Sequence, residues 1–184
     1  MTTLHDRPNT ALLVVDAQTG VFARVHDRDR VVGAIRALVD KSRASDGPVV
    51  WVRHNSEELE RGAEPWRIIP ALGARDDEPV VDKHFGDAFE DTPLETLLAD
   101  LQVGHLVVAG GQSDACIRAT IHGAFTRGYD VTLASDAHTT EDLSQYGAPP
   151  PDKVIAHTNL YWKYQTAPDR TAKVEPVADL QFAP

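Results

Sequence analysis

Three side chains, far apart in the sequence, are of the types that build a nucleophilic hydrolase. Cys116 is the only cysteine. It follows a glycine pair, Gly110–Gly111, and a polar loop, Gln112–Ser113–Asp114. It opens an amphipathic segment in which Ile117, Ile121, Ala124 and Phe125 fall at helical spacing as far as Gly128. The pattern predicts strand, tight turn and helix, with the thiol at the helix N-terminus. Free N–H groups and the positive dipole end favour an anion there, which would lower a thiol from its free pKa of about 8.5. Asp16 ends the apolar run ALLVV (11–15), and Lys83 follows the short run VVD (80–82). If these runs are parallel strands, their C-terminal ends share one edge, where open α/β sheets place their ligand sites. The chemistry is then coherent: the carboxylate takes the thiol proton, the ammonium stabilises the thiolate, and backbone N–H groups hold an oxyanion.

Each residue also has a plainer reading. A lone cysteine is most often a small buried hydrophobe. An aspartate just past a strand is as readily a helix N-cap or turn residue. A lone lysine is usually solvated. The set of three argues for chemistry more strongly than any member.

The elements that would position these residues alternate along the chain. Residues 11–15 suit a strand buried on both faces. Val31, Val32, Ile35, Leu38 and Val39 mark a helix, ended by Gly47 and Pro48. VVWV (49–52) is a second strand, and residues 54–78 form a long polar connection, of a length that is often functional. Trp66 in it either lines a pocket or pins the loop to the core. After the third strand, Thr92-Pro93-Leu94-Glu95 reads as a capping box with proline at the first helical position. Residues 106–109 are strand four. Residues 130–134 are strand five, ending at Ser135–Asp136–Ala137–His138. Pro149–Pro151 introduce a helix to about Asn159, and a last strand is expected near 173–177. This alternation predicts a parallel sheet with helices on both faces.

With 184 residues, the chain suits a single domain, 1–184, with a full core. A net charge of −10 opposes binding to nucleic acid or to an anionic membrane. A single cysteine excludes an intramolecular disulfide and a multi-cysteine zinc site. MTTLHDRPNT lacks a hydrophobic targeting core, no run approaches membrane-spanning length, and a cytoplasmic protein is the expectation.

Three segments resemble the isochorismatase-like cysteine hydrolases: ALLVVDAQ around Asp16, VVDKHFGDAF around Lys83, and VVAGGQSDACIRATIHGAFTRGYDVTLASDA around Cys116. The likeness covers roughly residues 10–160. It implies a three-layer, doubly wound sheet of six parallel strands in the order 3-2-1-4-5-6. It also implies a general base at Asp16, a positioning and stabilising ammonium at Lys83, and a nucleophile at Cys116. A cis peptide is implied at Gly111–Gln112, with oxyanion donors on the backbone N–H groups of Gln112 and Cys116. Family members usually form dimers or larger homo-oligomers, and NLYWKYQ (159–165) has a composition suited either to an interface or to packing on its own domain.

The departures also inform. Gly111 stands where a bulky apolar residue is usual and Ser113 where threonine is more usual, so the pocket is expected to widen or the turn to loosen. The nicotinamidase branch carries a D-x-H metal motif; here the region reads VRHNSEEL, so no metal and no cofactor are expected. His105, His122 and His157 are read as structural or surface groups. The isochorismatase branch cleaves a vinyl ether and does not need the thiol. Cys116 therefore favours hydrolysis of a small amide-like substrate through a thioester. An ether hydrolase and a non-catalytic homologue acting as a binding protein are the alternatives. Phe22, His54, Trp66 and Phe89 are the candidates for the substrate pocket.

Overall fold

The computed structural model describes residues 2–182. In chain order the strands are β1 (Asn9–Val15), β2 (Val49–His54), β3 (Val80–Lys83), β4 (Val103–Gly111), β5 (Asp130–Thr139), β6 (Thr166–Ala167) and β7 (Arg170–Glu175). The helices are α1 (Arg28–Ala44), α2 (Leu94–Asp100), α3 (Arg118–Thr126) and α4 (Pro151–Lys163). One sheet holds all seven strands in the order β3-β2-β1-β4-β5-β7-β6. The first six of that order are parallel, as the expected 3-2-1-4-5-6 requires. The seventh is the two-residue β6, an antiparallel edge hairpin on β7 too short to leave a hydrophobic pattern.

The apolar run of β1 shows why the sheet is buried on both faces. Ala11, Leu13 and Val15 point into one core cluster, with residues from α2, α3 and α4. Leu12 and Val14 point into the other, with α1. Successive side chains of a strand alternate faces, so a continuous apolar run fills two layers. The chain after β7 completes the α1 side: Val177, Leu180 and Phe182 are buried there. Lys41 Nζ donates to the carbonyls of Val177, Ala178 and Leu180.

The strand order reverses between β1 and β4, where their connections leave in opposite directions and open a crevice. The long connection after β2 folds back toward that crevice. Ile69 N–H donates to Ala17 O, and Thr19 N–H to Arg67 O, so it docks on the segment following β1. No described helix is long and apolar enough to cross a membrane.

Candidate active site

Backbone geometry at two positions builds the crevice. Asp16 leaves β1 in the left-handed region, φ 50°, while its N–H still donates to Val52 O at 2.9 Å. Aspartate tolerates that region better than most residues, and a non-glycine residue there points to a special requirement. Gly110 has φ +126°, and a Cβ on it would run into the Val15 carbonyl. Only glycine lets β4 lie this close to the end of β1. Beyond it comes the cis peptide Gly111–Gln112, where the resemblance placed it. The chain then makes one wide turn, Ser113–Ile117, in which Ile117 N–H donates to Gln112 O, an i→i+5 bond. Cys116 lies in this wide turn, ahead of α3, rather than in the first turn of the helix itself.

The three expected side chains meet. Lys83 Nζ is 2.8 Å from Asp16 Oδ2 and 3.2 Å from Cys116 Sγ. It is also 3.1 Å from Phe85 O and 3.1 Å from His54 Nδ1. Asp16 and Lys83 are buried; Cys116 is the partly accessible member. The second oxygen, Asp16 Oδ1, is buried without a hydrogen-bond partner among the described residues. Donor atoms of Asp16, His54 and Cys116 lie within 4.8 Å of one another, a spacing that a metal ion could bridge. Lys83 hydrogen-bonds or ion-pairs with all three residues, so the cation these donors face is its ammonium.

The electrostatics differ from the sequence expectation at the sulfur. Burial pushes the Cys116 thiol up to about 11, the Asp16 charge adds to this, and the opposing pull of Lys83 is smaller. The resting site therefore holds a thiol, not a preformed thiolate. Burial also raises the Asp16 carboxyl, against Lys83 and against its contact with the thiol, which makes Asp16 a stronger base than a solvated aspartate. Burial, then Lys83, lowers His54, so its ring is neutral at neutral pH.

Polar side chains stake the turn to the sheet, through partners to which sequence reasoning gave no role: His138, Asn159, Thr140 and Glu141. Ser113 Oγ and His138 Nδ1 are 2.7 Å apart, and His138 Nε2 is 3.0 Å from Asn159 Oδ1. Asn159 Nδ2 donates to Ser135 O, which turns Oδ1 toward the ring. His138 therefore carries its proton on Nε2, and Ser113 donates to Nδ1. Gln112 Oε1 accepts from Glu141 N–H at 3.0 Å, and Asp114 Oδ1 accepts from Thr140 Oγ1 at 2.7 Å. β5 runs on through residues 135–139 instead of stopping at Ala134, and this polar extension and the two residues after it receive the turn. The available signal was a strand-length run of polar residues directly after an apolar one.

The four pocket candidates separate. His54 reaches the cluster through Lys83. Phe22 is fully buried, and a Cβ on Gly111 would stand 3.0 Å from its Cε2. The ring therefore occupies the space that the missing side chain leaves, and Gly111 does not widen a pocket there. Trp66 pins the long connection: its Nε1–H donates to Asn55 Oδ1, and the Arg53 guanidinium lies 3.7 Å from the centre of its ring system. Phe89 packs in the core against Tyr129, with ring centroids 5.7 Å apart. His105, between Thr10 and Thr132, and His122, stacked on Tyr161, are structural.

Residues 10–148 match the isochorismatase domain family. A streptothricin hydrolase of Streptomyces noursei is 38% identical over 143 residues, which is 74% of this chain and 57% of that enzyme. The match thus spans little more than half of that relative's length. The secreted isochorismatase effector Isc1 of Verticillium dahliae is 28% identical over 73% of this chain and 75% of its own. Among solved structures, an isochorismatase from Pseudomonas putida superposes with a TM-score of 0.83 at 28% identity, covering 94% of this chain and 90% of that one. A cysteine hydrolase from Pseudomonas syringae shares the fold, with a TM-score of 0.84 at 24% identity over 93% and 90%.

Proposed function

The chain belongs to the isochorismatase family, and from that premise we propose that it is a cysteine hydrolase of a small amide-like substrate. The observation that carries the reading is the buried contact of Lys83 with both Asp16 and Cys116. Asp16, made more basic by burial, takes the thiol proton on its unpartnered oxygen as Cys116 Sγ attacks the carbonyl carbon. Lys83 balances the negative charge as it passes from carboxylate to sulfur. The tetrahedral oxyanion forms beside the turn, with the backbone N–H groups of Gln112 and Cys116 as its donors. Asp16 then protonates the departing amine, leaving an acyl thioester. A water that gives its proton to Asp16 attacks this thioester and restores the thiol.

Intact-protein mass spectrometry after acid quench tests this on a panel of small amides, ureido compounds and activated esters. The expected result is an acyl adduct on Cys116, with adduct and turnover both lost in Cys116→Ala. An adduct elsewhere, or undiminished amide turnover in that variant, ends the thiol mechanism.

The thiol held near 11 favours one second reading, a vinyl ether hydrolase of the isochorismatase type in which the sulfur stays protonated. Turnover of isochorismate that survives Cys116→Ala and is lost in Asp16→Asn would select it.

A further inference from the structure

Lys83 Nζ has more partners than protons. Four groups stand within 3.2 Å: Asp16 Oδ2, Phe85 O, His54 Nδ1 and Cys116 Sγ. An ammonium has three N–H donors. The Asp16 carboxylate and the Phe85 carbonyl are the stronger acceptors, so the remaining N–H is shared between imidazole and sulfur. His54 Nδ1 accepts only while unprotonated, which places the ring proton on Nε2. The residue is fixed from behind rather than through its ring. Its backbone N–H donates to Gln18 Oε1 at 2.7 Å, and its carbonyl accepts from Gln18 Nε2 at 3.0 Å. Gln18 is fully buried and also donates to Trp66 O.

We propose that His54 is a positioning residue that sets how readily Cys116 ionises, by competing with the sulfur for one N–H of Lys83. This rests on the reading of Cys116 as nucleophile. While the sulfur keeps its proton it is a weak acceptor, and the shared N–H points to His54. When the proton passes to Asp16, the thiolate becomes the stronger acceptor and draws that N–H away, so ionisation costs the imidazole contact. His54 thereby favours the thiol over the thiolate. The charged and titratable groups acting on the ring are Lys83, Asp16 and His84; those acting on the sulfur are Asp16 and Lys83.

The test is the rate of iodoacetamide alkylation against pH for the full chain, His54→Leu and His54→Asn. Leucine offers no acceptor and keeps water out, whereas the asparagine oxygen can take the place of Nδ1. In His54→Leu the ionisation should move down by about one unit, read as roughly tenfold faster alkylation at pH 8. His54→Asn should follow the unsubstituted chain. A leucine variant that is unshifted or slower, or an asparagine variant that shifts with it, overturns the proposal. Should the leucine variant not fold, nitrogen NMR of the unsubstituted protein decides. His54 Nδ1 should report a hydrogen-bonded acceptor that becomes a free one as Cys116 ionises, and an Nδ1 indifferent to that ionisation overturns the proposal. Neither measurement uses a substrate, so this inference and the hydrolase reading can fail separately.

Discussion

Asp16 and Lys83 form an ion pair with 2% and 0% of their side chains exposed. Removing one partner of such a pair strands the other charge out of water, at a cost of about 3–5 kcal/mol. Lys83→Met should therefore destabilise the fold by roughly that amount at pH 7, unlike a surface lysine. The loss should shrink at pH 5. A lone buried carboxyl titrates above its unfolded value, so the folded state takes up the proton first and gains stability as pH falls. Adding Asp16→Asn to Lys83→Met should recover most of the loss. Denaturant unfolding of the single and double variants checks both statements, and equal losses at pH 7 and 5 would contradict them. For the free thiol, alkylation should be slow at pH 7 and climb toward pH 11. Asp16 and Lys83 were legible because each closes an apolar run, and Cys116 because it opens an amphipathic segment after a glycine pair and a polar loop. The thiol's protonation was not, because it depends on how deeply the three are buried, and that is set by chain segments far away in sequence.

At the scale of elements, the turn that carries Cys116 is a wide helical turn held by hydrogen bonds to the extension of β5 and to the two residues after it. Ser113→Ala would remove the donor to His138 Nδ1 and leave a buried acceptor unpaired, costing about 1–3 kcal/mol. Because Ser113 acts through the turn, kcat and the rate of adduct formation should fall while KM changes little. Near-equal effects on kcat and KM, or none, would deny the turn this role. Apolar periodicity revealed the strands and helices well, since it records burial directly. It did not reveal the β5 extension, where SDAHTT resembles a turn until its partners are known. It also suggested a capping box at Thr92, of which only half forms. Thr92 Oγ1 accepts from Leu94 N–H at 3.3 Å and donates to Ala88 O, but the reciprocal half fails because Glu95 is drawn away to Arg7 and Tyr129. Long-range partners outbid the local one for Glu95 alone.

At the scale of the molecule, the family match ends at residue 148, yet the following segment supplies Asn159 to the staked turn and closes one core layer. Deleting residues 176–184 should expose the α1 face by removing Val177, Leu180 and Phe182. At about 1.5–3 kcal/mol per buried side chain, the loss is on the order of 5 kcal/mol and should appear as a lower midpoint in thermal unfolding. The segment 159–165 divides: Trp162 is buried in the chain's own core, while Leu160 and Tyr164 are 57% and 71% exposed. If that exposed face joins two copies, sedimentation equilibrium should give a dimer at micromolar concentration. Leu160→Asp with Tyr164→Asp should then give monomers, and a monomeric unsubstituted chain would exclude the interface.

The fit of Phe22 against Gly111 has an evolutionary consequence. The two positions share one volume, so the merit of a side chain at either depends on the other. A large residue at 111 meets the ring, and a small residue at 22 opens a cavity, each in the class of core change that costs about 1–5 kcal/mol. A lineage that fills this space from 22 cannot move to filling it from 111 by one neutral step. The exchange needs two changes together, or a spell at reduced stability between them. Positions 111 and 22 of this chain are therefore coupled, and a double-mutant cycle of Gly111→Leu and Phe22→Ala would measure the coupling as a non-additive term.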